Sequence, residues 1–143
     1  METVEQLKQV FNDNFVAYYR SHVAHVNITG RNFYSDHKLL QKVYESLQEQ
    51  IDTIAELLRT LDEFMPIEIQ TVLNDSHITT GQFDGSSDYF IAGVMDDLIH
   101  LKEEYEALIR YSEDEGHDEI ANYAQDRILA LSKQIWMLRS TLD

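Results

Sequence analysis

Four side chains of types that bind metal ions stand out in the first part of the chain: His25, His37, Asp52 and Glu56. Asp52 and Glu56 are four residues apart and would share a face of a helix. At 100° per residue, that face is a sector of about 100° that also holds His37 and Gln41. Imidazole with carboxylate suits Fe(II), manganese or zinc, and the absence of cysteine excludes thiolate ligands. The alternative is that the carboxylates form a solvated helix face and that the histidines are ordinary surface or core residues.

The spacing along the chain separates the second histidine from the two carboxylates. Asp52 lies 15 residues beyond His37, which corresponds to about 22 Å along a continuous helix. Metal–ligand bonds are about 2 Å long, so one unbroken helix cannot bring both side chains to one ion. Two copies packed antiparallel about a two-fold axis would place His37 of one chain beside Asp52 and Glu56 of the other. An unbroken second helix therefore predicts two symmetric metal sites between subunits.

Four long segments carry apolar residues at the three- and four-residue spacing of amphipathic helices. The chain has one Pro and five Gly among 143 residues, and so few helix breakers favour long helices. The apolar stripe of the first helix runs from Leu7 to Val26, and Gly30 is expected to end that helix. The predicted helices cover residues 3–29, from Ser35 or Asp36 to before Pro66, 88–112 and 117–142.

A shorter apolar segment, residues 67–73, is predicted to form one or two helical turns between the second and third long helices. The turn-rich stretch NDSHITTGQFDGSS follows and is predicted to be a loop. A connection of this length can run from one end of the bundle to the other. We therefore expect an all-α, ferritin-like four-helix bundle with a short helix in the crossover between helices two and three, as one domain over residues 1–143.

The composition is strongly acidic. Twenty-six acidic and 11 basic residues leave a formal net charge of −15, which repels nucleic-acid phosphates and is compatible with collecting cations. Solubility alone is the simpler explanation of such a charge. The N-terminal sequence has neither the basic nor the apolar region of a secretory signal, and no apolar run approaches a membrane span. A soluble cytoplasmic protein is expected.

The segment from 24 to 58, AHVNITGRNFYSDHKLLQKVYESLQEQIDTIAELL, resembles the signature of the Dps family, the mini-ferritins named for a DNA-binding protein from starved cells. The closing segments EDEGHDEIANYAQDRI and QIWMLRSTL are similar to the last helix of that family, so the resemblance covers nearly the whole chain. It is most specific at His25, Asn27, Gly30, His37, Asp52, Ala55 and Glu56.

The resemblance implies a spherical, dodecameric shell with ferroxidase sites at its two-fold interfaces. One subunit would supply His25 and His37, and the other would supply Asp52 and Glu56, with Glu56 holding the more tightly bound iron. The implied activity is oxidation of Fe(II), preferably by hydrogen peroxide, with storage of ferric iron and protection against oxidative damage. Zinc or manganese in the same site is an alternative.

Two positions depart from the family pattern. An Asp usually follows the second histidine by four residues, and this chain has Gln41 there. An amide binds iron less well than a carboxylate, so we expect a weaker second iron position, an altered metal preference or a disabled site. The Trp that usually follows the first histidine is Val26. The family's Trp would scavenge radicals, so in this chain nearby tyrosines would have to do so. The candidates are Tyr18, Tyr19 and Tyr44.

The family's iron pore is lined near the start of the last helix, where this chain offers His117, Asp118, Asn122 and Asp126. The alternative is that the acidic cluster from Glu113 to Asp118 only solubilises a loop and complements a helix N-terminus. DNA binding is not expected, because the chain has no basic tail or patch with which to displace counterions.

Other residues are weaker candidates for metal binding. His22 could be an auxiliary ligand but is better explained as an interface histidine. His77 and His100 are interpreted as structural or exposed, although Asp97 and His100 form an Asp-x-x-His spacing. Larger ferritins use paired Glu-x-x-His motifs within one bundle, and the chain contains none. Trp136 is assigned to core or interface packing.

Three functional hypotheses follow. The first is a ferroxidase and iron store that uses His25, His37, Asp52 and Glu56. The second is a structural or metal-sequestering cage whose ferroxidase activity is weakened or lost because of Gln41. The third is a plain four-helix interaction module. Cage assembly separates the third hypothesis from the others, and iron oxidation kinetics separate the first from the second.

Overall fold

The chain forms five α-helices in a computed structural model that describes residues 1–79, 81, 83 and 85–143. The four long helices follow the predicted amphipathic segments, and the short helix lies in the predicted crossover. The all-α prediction is confirmed. The helices are α1 (Glu2–Asn27), α2 (Phe33–Thr60), α3 (Ile69–Asp75), α4 (Ser87–Asp114) and α5 (Asp118–Leu142).

The second helix ends earlier than predicted. It stops at Thr60 rather than just before Pro66, because the chain turns through a left-handed residue, Asp62, with φ of 63°. The backbone N–H groups of Asp62 and Glu63 donate to carbonyls of the last helical turn at 3.1 and 3.0 Å, which satisfies oxygens that the helix itself leaves unpaired. A local turn, rather than the proline, therefore decides the end of α2.

The loop predicted over residues 74–87 is only partly covered by the structure. Thr80, Gln82 and Asp84 lie outside the described residues. At its ends, the predicted loop gives way to helix, since α3 extends to Asp75 and α4 begins at Ser87. The Ser86 hydroxyl caps α4 by accepting a hydrogen bond from the N–H of Tyr89 at 3.2 Å.

Contacts between the helices define the chain path. In α1, Gln6 hydrogen-bonds Glu104, and the backbone of Thr29, just past the helix, hydrogen-bonds Ser87. The two helices α1 and α4 are therefore antiparallel. Helices α1 and α2 are also antiparallel, because α2 follows α1 after a short turn and packs against it. Helices α2 and α4 are thus parallel, and the connection that carries α3 must cross the length of the bundle. This is the crossover that distinguishes ferritin-like bundles from simple up-and-down ones.

The core confirms most of the predicted apolar stripes, with two corrections. Val26 is 61% exposed, so the buried stripe of α1 ends before it. Trp136 is 55% exposed, so it is not a core residue. Packing at an interface between subunits stays the prediction for it. Within residues 1–79, 81, 83 and 85–143, no helix combines the length and apolarity needed to cross a membrane.

Candidate metal centre

The end of α1 and the start of α2 bring His25 and His37 together. Their rings stack with centroids 3.7 Å apart. The Nδ1 of His25 lies 2.7 Å from the carbonyl oxygen of His37, and the Nδ1 of His37 lies 2.7 Å from the carbonyl oxygen of His25. The antiparallel packing of the two helices therefore holds the histidines as a reciprocal pair.

These two hydrogen bonds determine the tautomer of each ring. A carbonyl oxygen only accepts hydrogen bonds, so both Nδ1 atoms must carry the proton and donate it. In the neutral rings, both Nε2 atoms then keep a lone pair for a metal ion. Burial lowers the pKa of His25, and this effect exceeds the opposing effect of the hydrogen bond to the His37 carbonyl. The neutral form, which is the form that binds metals, is thereby favoured.

The carboxylates Asp52 and Glu56 form a second pair, exposed on the surface of α2. A hydrogen bond with Asp52 raises the pKa of Glu56, and the like charge of Asp52 raises it further. The repulsion between the two charges makes binding of a cation between the carboxylates more favourable. The pair is therefore a suitable half-site for a divalent ion.

The structure meets the condition on which the inter-subunit prediction depends. Helix α2 is continuous from Phe33 to Thr60, so His37 and Asp52 are about 22 Å apart along it. Among the described residues of one chain, the two histidines and the two carboxylates do not form one cluster of ligand atoms. Each chain thus carries two separated half-sites, and the complete four-residue site remains a prediction about a pair of chains.

Aromatic side chains surround the histidine pair. Tyr44 lies with its ring centroid 5.0 Å from that of His25. His22 stacks on Tyr44 at 4.0 Å, and the hydroxyl of Tyr18 hydrogen-bonds the Nδ1 of His22 at 3.1 Å. Tyr18 and Tyr44 therefore lie within reach of the pair, as predicted. Tyr19 is exposed and is not part of this aromatic group.

Gln41 uses its amide group within α2. Its Nε2 donates to Oε1 of Glu45, one turn further along, at 2.8 Å. Gln41 lies one turn beyond His37, and its amide holds the carboxylate of Glu45 on the same face of the helix one turn further on. This contact gives Gln41 a structural role as the partner of Glu45.

The acidic cluster before α5 makes one specific contact. Glu115 accepts hydrogen bonds from the backbone N–H groups of Glu2 and Thr3 at 3.0 and 2.9 Å. It therefore caps the N-terminus of α1, as the alternative to the pore proposed. Asp118, Asn122 and Asp126 are exposed on α5, and their lining of a pore remains a prediction.

The structure also reveals a second cluster, and it contains His77 and His100, which the sequence had suggested were structural or exposed. Asp13, His77, His100 and Glu104 each offer one ligand atom, and these atoms all lie within 4.8 Å of one another. The four residues come from α1, α4 and the segment after α3, and the most distant of them are 91 positions apart. The one local signal is the four-residue spacing of His100 and Glu104 on α4.

Comparison with known proteins identifies the class of proteins whose fold this bundle shares. A family model described as a ferritin-like domain matches residues 4–143. The DNA protection during starvation protein of Helicobacter pylori is 30% identical over 99% of both chains. The crystal structure of Helicobacter cinaedi CAIP superposes with a TM-score of 0.91 at 30% identity over 99% of both chains.

A second solved structure supports the same fold. The Dps protein of Vibrio cholerae, described as a member of a superfamily of ferritin-like diiron-carboxylate proteins, has a TM-score of 0.93 at 22% identity, over 99% of this chain and 89% of that one. The architecture is thus that of the ferritin-like proteins. Within that class, the chain belongs to the Dps family.

Proposed function

We propose that this protein is a mini-ferritin subunit that oxidises Fe(II), preferably with hydrogen peroxide, at sites between subunits. The proposal includes a dodecameric cage that stores the ferric product and protects the cell against oxidative damage. His25 and His37 of one chain and Asp52 and Glu56 of another would hold the iron. Zinc or manganese could occupy the same ligands.

The observation that carries the proposal is that one chain holds the two histidines as one pair and the two carboxylates as another. The reciprocal hydrogen bonds of His25 and His37 leave both Nε2 atoms free. The paired carboxylates of Asp52 and Glu56 lie further along the same continuous helix. An antiparallel pairing of two α2 helices would complete two sites at once.

Exposed apolar side chains border each half-site, which supports an interface there. Val26 and Phe33 are exposed beside the histidine pair, and the Phe33 ring stacks on His37 at 4.9 Å. Beside Glu56, the exposed side chains of Phe64 and Ile67 line an apolar cleft. Contiguous exposed apolar surface is typical of surfaces that another chain covers. Burying these side chains would also exclude water from the metal site.

The ligand set fits a turnover in which iron is the substrate. Two carboxylates balance the charge of one Fe(II), two neutral imidazoles add nitrogen ligands without a thiolate, and coordination positions remain for the oxidant. Two ferrous ions each give one electron to one peroxide, whose O–O bond breaks to give two hydroxide ions. Because both electrons are delivered together, no free hydroxyl radical is released.

The second candidate function is a cage with weak or absent ferroxidase activity. Its support is Gln41, whose amide is hydrogen-bonded to Glu45 and offers no charge to a second iron. In that case the cage would sequester metal without rapid oxidation.

The proposed localisation is cytoplasmic. DNA binding is not proposed, because a formal charge of −15 per chain repels nucleic-acid phosphates.

The test is oxidation of Fe(II) by the anaerobically purified cage, followed by ferric absorbance after addition of peroxide or oxygen. We expect rapid oxidation by the wild-type cage, faster with peroxide. The variant His37→Ala/Asp52→Ala should be at least about 100-fold slower, because loss of even an outer-shell partner costs 10–100-fold at metal sites. The control Glu106→Ala, which removes an exposed carboxylate from α4, should keep the wild-type rate. Oxidation no faster than buffer by an intact wild-type cage would favour the sequestering cage instead.

The substitution Gln41→Asp tests the weaker second iron position. It would place a carboxylate beside Glu45, and the two charges would repel each other unless a cation bound between them. A unit charge at about 4 Å is worth roughly 4 kcal/mol near a protein surface, so we expect Fe(II) to bind about tenfold tighter or more. Anaerobic Fe(II) titration measures this, with Gln70→Asp on α3 as the matched control. Equal binding by Gln41→Asp and wild type would show that position 41 does not face the iron.

A further inference from the structure

The group Asp13, His77, His100 and Glu104 shares no residue with the proposed interface site. We propose that these four side chains bind one divalent transition-metal ion of the zinc type within a single subunit. The donor set is two imidazoles and two carboxylates, a combination that binds zinc in four-coordinate geometry. The ion would join α1, α4 and the segment that follows α3.

The distances within the group match a tetrahedral ion. With metal–ligand bonds of roughly 2.0–2.1 Å, neighbouring ligand atoms are about 3.3 Å apart. The Nε2 of His100 lies 3.1 Å from Oδ2 of Asp13 and 3.2 Å from Oε1 of Glu104. That same Oε1 lies 3.5 Å from Nδ1 of His77. Three edges of the tetrahedron are therefore already near their final length.

Both carboxylates are oriented by hydrogen bonds to their other oxygen. Oδ1 of Asp13 accepts from the Ser76 hydroxyl at 2.8 Å and from the backbone N–H of His77 at 2.7 Å. Oε2 of Glu104 accepts from Nε2 of Gln6 at 2.8 Å. In each case one oxygen is held by the protein and the other faces the group. Such outer-shell support of ligands is characteristic of built metal sites.

Burial and charge favour a cation at this position. Asp13 has no solvent exposure, and a buried carboxylate needs a positive partner. One proton on Nε2 of His100 would have to serve both carboxylates at once, whereas a divalent ion would neutralise them and also engage His77. The side chain of His77 is 58% exposed, which leaves a route for the ion to reach the site.

The approach to the group is acidic. A cleft of about 370 Å³ opens onto His77 and Glu104, and three further carboxylates line it. Negative charge on the walls of a cleft concentrates cations within it. The additional lining carboxylates are Glu2, Glu5 and Glu103.

The bound ion would act on the crossover connection. The backbone N–H of His77 already donates to Asp13, so the segment after α3 is held against the bundle by a hydrogen bond. Coordination by the imidazole of His77 would add a second attachment at the same residue. We therefore expect the ion to stabilise the start of the connection between α3 and α4.

The test is a zinc titration of the metal-free cage by calorimetry. The variant His37→Ala/Asp52→Ala serves as background, so that the proposed interface sites do not contribute. We expect one tight zinc per subunit in that background. Adding His77→Ala should weaken zinc binding at least about 100-fold, because the loss of even an outer-shell partner of a ligand costs 10–100-fold in metal affinity. The fold should be unaffected, because the His77 side chain is exposed and its backbone hydrogen bond remains. Adding Glu106→Ala, which removes an exposed carboxylate from α4 outside the cleft, is the control and should leave zinc binding unchanged.

A second variant and a second probe keep the test decisive. Asp13→Asn, nearly isosteric, should also abolish tight zinc binding. In the same His37→Ala/Asp52→Ala background, the tetrahedral absorption of bound Co(II) should be lost when His77 is replaced by alanine. The proposal is wrong if tight zinc binding in the background persists unchanged in the His77→Ala and Asp13→Asn variants, or if no tight zinc binds there at all. Because the background lacks the interface ligands, this outcome is independent of whether the cage oxidises iron.

Discussion

Cages assembled from two inactive variants should oxidise Fe(II) again when their lesions lie on opposite halves of the proposed interface site. One variant is His37→Ala and the other is Asp52→Ala/Glu56→Ala. Each cage made of a single variant should be inactive. In a mixed pair, one of the two symmetric sites carries both lesions, and the other combines intact histidines with intact carboxylates. Co-expression should therefore regenerate complete wild-type sites.

The size of the recovery follows from random pairing. With equal amounts of the two variants, the histidines come from an intact chain half of the time, and so do the carboxylates. About one quarter of all sites should be complete, and the initial rate of Fe(II) oxidation should reach about one quarter of the wild-type rate. This expectation rests on the proposed function, because the assay measures ferroxidase turnover.

The matched control pairs two lesions on the same half. Co-expression of His25→Ala with His37→Ala should give no recovery, since every site in a mixed pair lacks one histidine. Size-exclusion chromatography verifies that all mixtures assemble alike. Absence of recovery in the opposite-half mixture, with a fully active wild-type cage, would contradict a site made of the histidines of one chain and the carboxylates of another.

Replacing Arg20 by methionine should cause a large loss of stability. Nε of Arg20 lies 2.7 Å from Oδ2 of Asp97, and both side chains are nearly buried. Removing one partner of a buried ion pair leaves the other charge without compensation, which costs about 3–5 kcal/mol. At pH 7 we expect the thermal midpoint to fall by roughly 10 °C, given about 2–4 °C per kcal/mol for a chain of this size.

The loss should diminish at lower pH. Burial raises the pKa of Asp97 from 3.8 to about 6, even though Arg20 opposes the shift. The folded protein thus binds a proton more tightly than the unfolded chain, so its stability falls as the pH rises through the window from about 4 to about 6. Without Arg20 the pKa of Asp97 rises further. The Arg20→Met variant should therefore lie closer to wild type at pH 5 than at pH 7.

A double variant isolates the charge. Arg20→Met/Asp97→Asn carries no buried charge at this position, so it should recover much of the stability at pH 7 and show no titration of this pair. Arg139→Met, at an exposed position on α5, is the control for losing an arginine. All measurements use a chelator and one protein concentration, because bound metal and assembly both raise apparent stability. A pH-independent loss in Arg20→Met would show that lost packing, not the unpaired carboxylate, is responsible.

Both metal proposals use histidine with carboxylate, but they place different demands on the fold. The interface site needs a second chain to bring its halves together, and its two carboxylates stay exposed until then. The group around Asp13 needs only the packing of α1 against α4 and the return of the chain after α3. Loss of assembly should therefore abolish the first site and leave zinc binding at the second.

The sequence by itself determined the helical elements and the side chains that each helix face offers. Periodic apolar spacing is a local signal, and a four-residue separation such as that of Asp52 and Glu56 places two side chains on one helix face without reference to the rest of the fold. The continuity of α2 between His37 and Asp52 also follows from local sequence, and the prediction of a second chain rests on it. Resemblance to the Dps family supplied the pairing of His25 with His37.

The tertiary structure alone decided which distant residues meet. Asp13 lies 64 positions before His77 and 87 before His100, and no periodic pattern connects residues so far apart. They converge because the crossover returns the chain to α1 just after α3. Likewise, the hydrogen bonds that leave both Nε2 atoms free at His25 and His37 depend on how two helix ends pack. Local sequence specifies what each helix face offers, whereas the packing of helices specifies which faces share an ion.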